Sequence, residues 1–417
     1  MTISKLFTRI ISAALAMLFA LGLFIFPAQA LASSFAYAKI TTEAAESAGY
    51  NFILKQYEMR GIKYEKAVLR ESVKLYDDQD AIIGLMVIVD RDGKSDYAVV
   101  DYLLSNIDEY GFGSDDFVDT CRRAERVLYA GTLNYAKREK GELKSLTGEK
   151  LNAKDFSSKM NEFRAGAALL KPKKTGYDGI IGWAQVADRI NGLFGTTNSM
   201  VYNSQFAYLP GISRSGVASN LHFWCQNPLN DWYNGRYGTG ISGTCGPTAM
   251  VNMMIYLDKQ AGFNNGLVND SVYDTFASMI YYTNFMNWTD RNWWNFTVSA
   301  FKNYASQQGY NYTLKSYYNC RWNNVLSCIK DMRIPMFATF GTYTDSGSYW
   351  NHAVVILGLE EFTHVYYTPG RWGRQDRHSD VYRYVRIVDG WWSSDEGRFI
   401  DFDNYYTEIG GIGFSFK

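Results

Sequence analysis

Gly243-Thr244-Cys245-Gly246-Pro247-Thr248-Ala249-Met250 runs straight into the apolar positions Ala249, Met253, Tyr256 and Leu257, and this spacing predicts a helix from Cys245 to Gln260. Pro247 belongs in the first turn, where its missing N–H is no loss. Gly243 and Gly246 let the loop bend tightly and let a substrate approach the backbone. Cys245 then stands at a helix N-terminus, where unpaired N–H groups and the positive end of the dipole favour thiolate over thiol. The expectation is a nucleophile with a depressed pKa that alkylates fastest at mildly acidic pH. The competing reading is a structural or disulfide-bonded cysteine.

A thiol nucleophile needs a base. His222 precedes the cysteine, His364 sits among aromatics and His378 lies in the charged run Arg374-Gln375-Asp376-Arg377. His352 differs, because Asn351-His352-Ala353-Val354-Val355-Ile356-Leu357-Gly358 puts it at the mouth of a buried strand, where a held, partly desolvated imidazole suits general acid-base work. Asp389 ends the strand Val385-Arg386-Ile387-Val388, ahead of Gly390-Trp391-Trp392. A carboxylate there could hold the imidazole N–H and fix its tautomer, with a Trp keeping water away. The competing reading of Asp389 is a turn-forming Asp-Gly.

The 417 residues are ample for a core around a concave site, and 47% hydrophobic with 20% charged residues excludes wholesale disorder, collagen and coiled coil. Basic and acidic residues cancel at 42 each, so nucleic acid is not an expected partner. Lys5 and Arg9 lead into the apolar run Ile10 to Phe26, then Pro27 and Ala28-Gln29-Ala30 or Ala30-Leu31-Ala32. This predicts a signal peptide over residues 1–30, an uncleaved anchor being the alternative. The mature chain is expected to be secreted or retained at the cell envelope, with no membrane association after cleavage. Five cysteines are too few for a disulfide framework, although Cys320 and Cys328 are near enough in sequence to pair. No Cys-x-x-Cys, His-Glu-x-x-His or calcium-loop pattern occurs, so neither a metal site nor a cofactor is expected.

All 11 Trp lie beyond residue 175, where the chain changes character. The seam Leu170-Lys171-Pro172-Lys173-Lys174-Thr175-Gly176 is a basic Pro/Gly stretch. Residues 33–170 read as a small α+β front domain: helical periodicity from Ser47 to Tyr76, a hairpin over Ala81 to Tyr102 turning at Asp92-Gly93, and a further helix over Asp115 to Lys137. Residues 171–219 are a linker and lead-in segment. Residues 220–417 form the chemistry-bearing domain, with more helices between Ser271 and Gln308 and strands over Pro335 to Phe340, His352 to Leu359, Tyr382 to Val388 and Gly411 to Phe416. Helices first and antiparallel strands later give α+β.

The Cys-Gly-Pro-Thr helix start, the Asn-His-Ala-Val strand and the closing Asp-Gly-Trp together resemble the papain-like clan of cysteine peptidases over roughly residues 220 to 400. Within it the chain is most similar to the bacterial branch of bacteriocin-leader-processing, C39-like peptidases, and its precursor layout resembles that of streptopain. The resemblance implies Cys245 as nucleophile, His352 as base, Asp389 as the third member and Trp391 as its shield, with Gly246 and Asn351 lining the cleft. Many members carry an oxyanion-hole Gln shortly before the cysteine, where this chain has Thr239. The leader-peptidase branch uses a Gln further upstream, and Phe223-Trp224-Cys225-Gln226 makes Gln226 the candidate. The separation of His352 from Asp389 implies an inserted loop over Glu360 to Asp380.

The leading expectation is therefore an exported cysteine peptidase acting on protein or peptide through a thioester, with the front domain either a removable pro-region or a permanent one. A cell-wall amidase or acyltransferase would use the same triad. A third reading is a catalytically inactive papain-like protein that binds glycans or surfaces through its aromatics. Oligomeric state is not legible.

Overall fold

The computed structural model describes residues 40–170, 180, 183, 200–213, 221–260, 272–283, 293–342, 350–369, 375–392, 397–403 and 408–417. The expected signal peptide and most of the linker lie outside them.

Helix α1 (Thr42–Arg60) opens on Thr41, whose hydroxyl accepts the Ala44 N–H at 3.2 Å, and closes on Gly61. Strands β1 (Ala67–Leu69) and β2 (Val73–Tyr76) follow. The helical periodicity expected to reach Tyr76 thus stops at Arg60, where the Gly61 cap ends it. Strands β3 (Ile82–Arg91) and β4 (Lys94–Asp101) form the expected hairpin, with Asp92 at φ 52° and Gly93 at φ 85°, the two left-handed residues that such a tight turn needs. After β5 (Asn106–Phe112) comes α2 (Asp115–Arg123), shorter than expected. Residues assigned to its continuation instead form β6 (Arg126–Tyr129) and β7 (Tyr135–Glu139), which pair with each other. Strand β8 (Glu142–Ser145) and helix α3 (Ala153–Leu170) complete the front region.

Beyond the seam, β9 (Met200–Tyr208) leads to α4 (Gln226–Tyr237), α5 (Cys245–Gln260), α6 (Val272–Tyr282) and α7 (Trp293–Gln307). Then come β10 (Tyr312–Tyr317), β11 (Met336–Thr342), β12 (Trp350–Pro369), β13 (Gln375–Val388), β14 (Gly397–Asp401) and β15 (Glu408–Phe416). The span expected to be an inserted loop is instead largely sheet: β12 and β13 pair from Val355/Val388 out to Pro369/Gln375.

These elements are α+β, with helices and one large sheet whose pairs are antiparallel except β2 with β6. The path β10-β15-β11-β12-β13-β14-β5-β4-β3-β2-β6-β7-β8 shows that the compositional break near residue 175 is not a break in the sheet. Strand β14 pairs with β5 in the register Arg398↔Gly111, Phe399↔Tyr110 and Ile400↔Glu109. Ile40–Lys417 accordingly form one compact unit.

Among the described residues, two of the apolar clusters bear on the position of the site. In one, α5 buries Met250, Val251, Met253, Met254, Tyr256 and Leu257 almost all round, packed on β12 and α6. In the other, α1 lays Phe52 against aromatics from both regions, and Tyr110 stacks on Phe399 at 4.8 Å with an interplanar angle of 2°.

Candidate active site

Helix α4 prepares the loop that launches Cys245. Asn234 accepts the Ile241 N–H at 2.8 Å and returns a bond to the Ile241 carbonyl at 3.0 Å, while the Thr239 hydroxyl donates to Asn234 at 2.9 Å. Thr239 therefore braces this loop. Thr244 donates its buried hydroxyl to Asn230, also on α4. Cys245 begins α5 as expected, and the backbone N–H groups of Ala353, Gly246 and Cys245 itself bear on its sulfur and favour the thiolate. Ala353 follows His352 directly, so the thiol touches the strand that carries the imidazole.

His352 is held from the opposite side. Its Nε2 lies 2.9 Å from the main-chain carbonyl oxygen of Asp389. A carbonyl can only accept, so Nε2 carries the proton and Nδ1 is left as the basic nitrogen. Trp391 covers the ring, with centroids 4.0 Å apart. The Asp389 carboxylate, expected to hold the imidazole, is engaged elsewhere: Oδ1 accepts the Trp391 N–H at 2.8 Å and Oδ2 pairs with Arg398. Asp389 thus reaches His352 through its backbone, while its side chain fixes the turn that presents that backbone.

This turn is seated against both helices. Gly390 has φ 72°, and a Cβ there would lie 3.0 Å from Thr248 Cγ2 in the first turn of α5. The buried residue Gln226 donates its backbone N–H to the Gly390 carbonyl at 2.7 Å. Cys245, His352, Asp389, Trp391 and the start of α4 at Gln226 are therefore gathered in one place. Gly246 is buried in the first turn of α5, and Asn351 pairs in register with Gly341.

The electrostatics differ from the expectation. Burial pushes the Cys245 thiol up, and the three backbone N–H groups offset it only in part. Burial likewise lowers His352 to about 4, against the opposing pull of Asp389. The resting pair is thus neutral thiol and neutral imidazole, because desolvation outweighs the helix terminus. No disulfide joins the five cysteines. Burial raises Cys320 to about 12 and Cys328 to about 11, leaving both as inert packing groups against Gly411 and Gly413.

Three further residues reach this site, two of them from the front region. Lys159 on α3 is close enough for its charge to act on both Cys245 and His352, and burial lowers its ammonium to about 7. Its sequence signal is a lysine within the buried stripe Phe156, Met160 and Phe163. Arg398 lies on β14, all of whose residues are buried, and pairs with Asp389 on one side and Glu109 of β5 on the other. Burial works against the guanidinium charge, but the carboxylates prevail and hold it protonated. An arginine between apolar strand positions hints at a buried partner without identifying it.

Among the described residues, no group of three or more His, Cys, Asp and Glu could hold a metal ion, and no helix is long and apolar enough to cross a membrane. No protein-family model matches this chain, and a comparison with curated proteins finds no match.

Proposed function

We propose that the chain is an exported cysteine peptidase with a papain-like catalytic region, hydrolysing peptide bonds through a thioester on Cys245. The observation that carries the reading is the tautomer: a main-chain carbonyl takes the Nε2 proton of His352, under Trp391, leaving Nδ1 basic beside the strand residue whose N–H meets the Cys245 sulfur. In this mechanism Nδ1 takes the thiol proton as sulfur bonds the scissile carbonyl carbon. The C–N bond then breaks, and the imidazolium returns the proton to the departing amine. Water, deprotonated by the same nitrogen, attacks the thioester, releases the carboxylic acid and restores the thiol. The Cys245 N–H, together with Gln226, is the candidate donor set for the oxyanion, each donor worth about 3–4 kcal/mol in comparable sites.

The test is release of new peptide termini from unfolded casein by the wild type beside Cys245→Ala and His352→Gln. The expected result is cleavage by the wild type and at least a ~10³-fold loss in either variant. Equal release by all three overturns the peptidase reading, and release of muropeptides from cell wall, with casein intact, replaces it by an amidase.

A further inference from the structure

We propose that Glu109, in the front region, is a positioning residue for His352, acting through Arg398 and the Asp389 turn. For its consequence in rate the proposal rests on the peptidase reading.

The chain of contacts is continuous and buried. Glu109 accepts from Arg398 Nε at 2.9 Å and pairs with Arg398 Nη2 at 2.7 Å. The same guanidinium pairs through Nη1 with Asp389 Oδ2, while Asp389 Oδ1 holds the Trp391 N–H and the Asp389 carbonyl holds His352. Arg398 therefore bridges two carboxylates from opposite ends of the sequence with one rigid fork. Glu109 is itself fixed: Tyr97 donates to it at 2.6 Å and Tyr135 at 3.3 Å. Gly111 makes room for this, since a Cβ there would lie 2.4 Å from the Tyr97 ring.

Strand alternation explains why the network points at the site. In the β5/β14 pair, Tyr110, Phe112 and Phe399 face the aromatic core with α1, so Glu109 and Arg398 face the other side. There Phe117 of α2 lies 4.7 Å beneath the guanidinium and meets Trp392 edge-on at 5.5 Å. Front-region residues thus hold both flanks of the Asp389–Trp392 turn. Without the Glu109 charge the fork has one anchor instead of two, the turn can rotate, and the Asp389 carbonyl no longer keeps Nδ1 free for the thiol. The charge balance also shifts, because Arg398 already disfavours the imidazolium.

The experiment is NMR of the full chain labelled at histidine Cε1, comparing wild type with Glu109→Gln, the His352 signal being identified by its loss in His352→Gln. In Glu109→Gln the His352 signal is expected to move or broaden and its titration to shift to lower pH. The His364 and His378 signals stay in place, which a general loss of structure would not allow. With casein, kcat is expected to fall about tenfold at unchanged KM. An unmoved His352 signal in folded Glu109→Gln overturns the proposal. If that variant does not fold, Tyr97→Phe decides in the same way, an unmoved signal again overturning it. A wild type that cleaves nothing while Glu109→Gln still moves His352 supports the positioning role and overturns only the peptidase reading.

Discussion

Cys245 and His352 are each buried more than their charged forms prefer, and this sets how the intact protein meets reagents. Burial raises the thiol and lowers the imidazole to about 4, so no thiolate–imidazolium pair forms near neutrality. A thiol reacts as thiolate, so its rate follows the ionised fraction. We predict that iodoacetamide modifies Cys245 slowly between about pH 5 and 7 and progressively faster above about pH 8, as the raised thiol begins to ionise. Peptide mapping after timed alkylation reads this directly; fast modification at about pH 6 would mean that the helix terminus outweighs desolvation.

At the scale of the element, the Asp389-Gly390-Trp391 turn carries the site more than any single strand does. Gly390 is held at φ 72° with Thr248 Cγ2 where a Cβ would need space, and its carbonyl anchors the start of α4. Gly390→Ala is expected to cost about 1–2 kcal/mol of stability from the left-handed backbone alone. It should cost about tenfold or more in kcat, because a displaced turn carries the Asp389 carbonyl with it. Urea melts beside casein kinetics check the pair of effects. A rate loss no larger than the stability loss accounts for would show that the turn does not position His352. This turn was legible as Asp-Gly-Trp, but its working group was not: a main-chain carbonyl belongs to every residue, and only the folded path aims this one.

Across the whole molecule, the front and rear regions are fused by a buried charge as well as by the sheet. Arg60 of α1 pairs with Glu360 of β12, both side chains being fully buried, and Tyr110 and Tyr208 also donate to Glu360. Burial raises the Glu360 carboxyl, and Arg60 is the chief opposing influence. Arg60→Met should therefore destabilise the protein by about 3–5 kcal/mol, and Arg60→Met with Glu360→Gln should recover most of the loss. The sign with pH follows from the same carboxyl. Its folded pKa, already raised, rises further without Arg60, so the single variant is least destabilised at acid pH and loses stability as pH rises through that pKa. Denaturant titrations at about pH 5 and 8 read both effects, and a loss independent of pH would assign it to packing instead.

What the sequence determined by itself was local. The Cys245–Gln260 helix, the Asp92-Gly93 hairpin and the strand carrying His352 all follow from turn chemistry and apolar periodicity within about a dozen residues. Where short strands succeeded a helix, at Ala67–Leu69 and Arg126–Tyr129, the same periodicity misled, because too few residues lie between breaks to separate the two repeats. Only the tertiary structure decided the joining of β14 to β5 and the pairing of Arg398 with Glu109, 289 residues apart. The physical reason is that a buried charge announces its need for a partner but not the partner's identity. Strand pairing likewise depends on which edge the fold leaves open, a property of the assembled sheet that no local stretch of the chain contains.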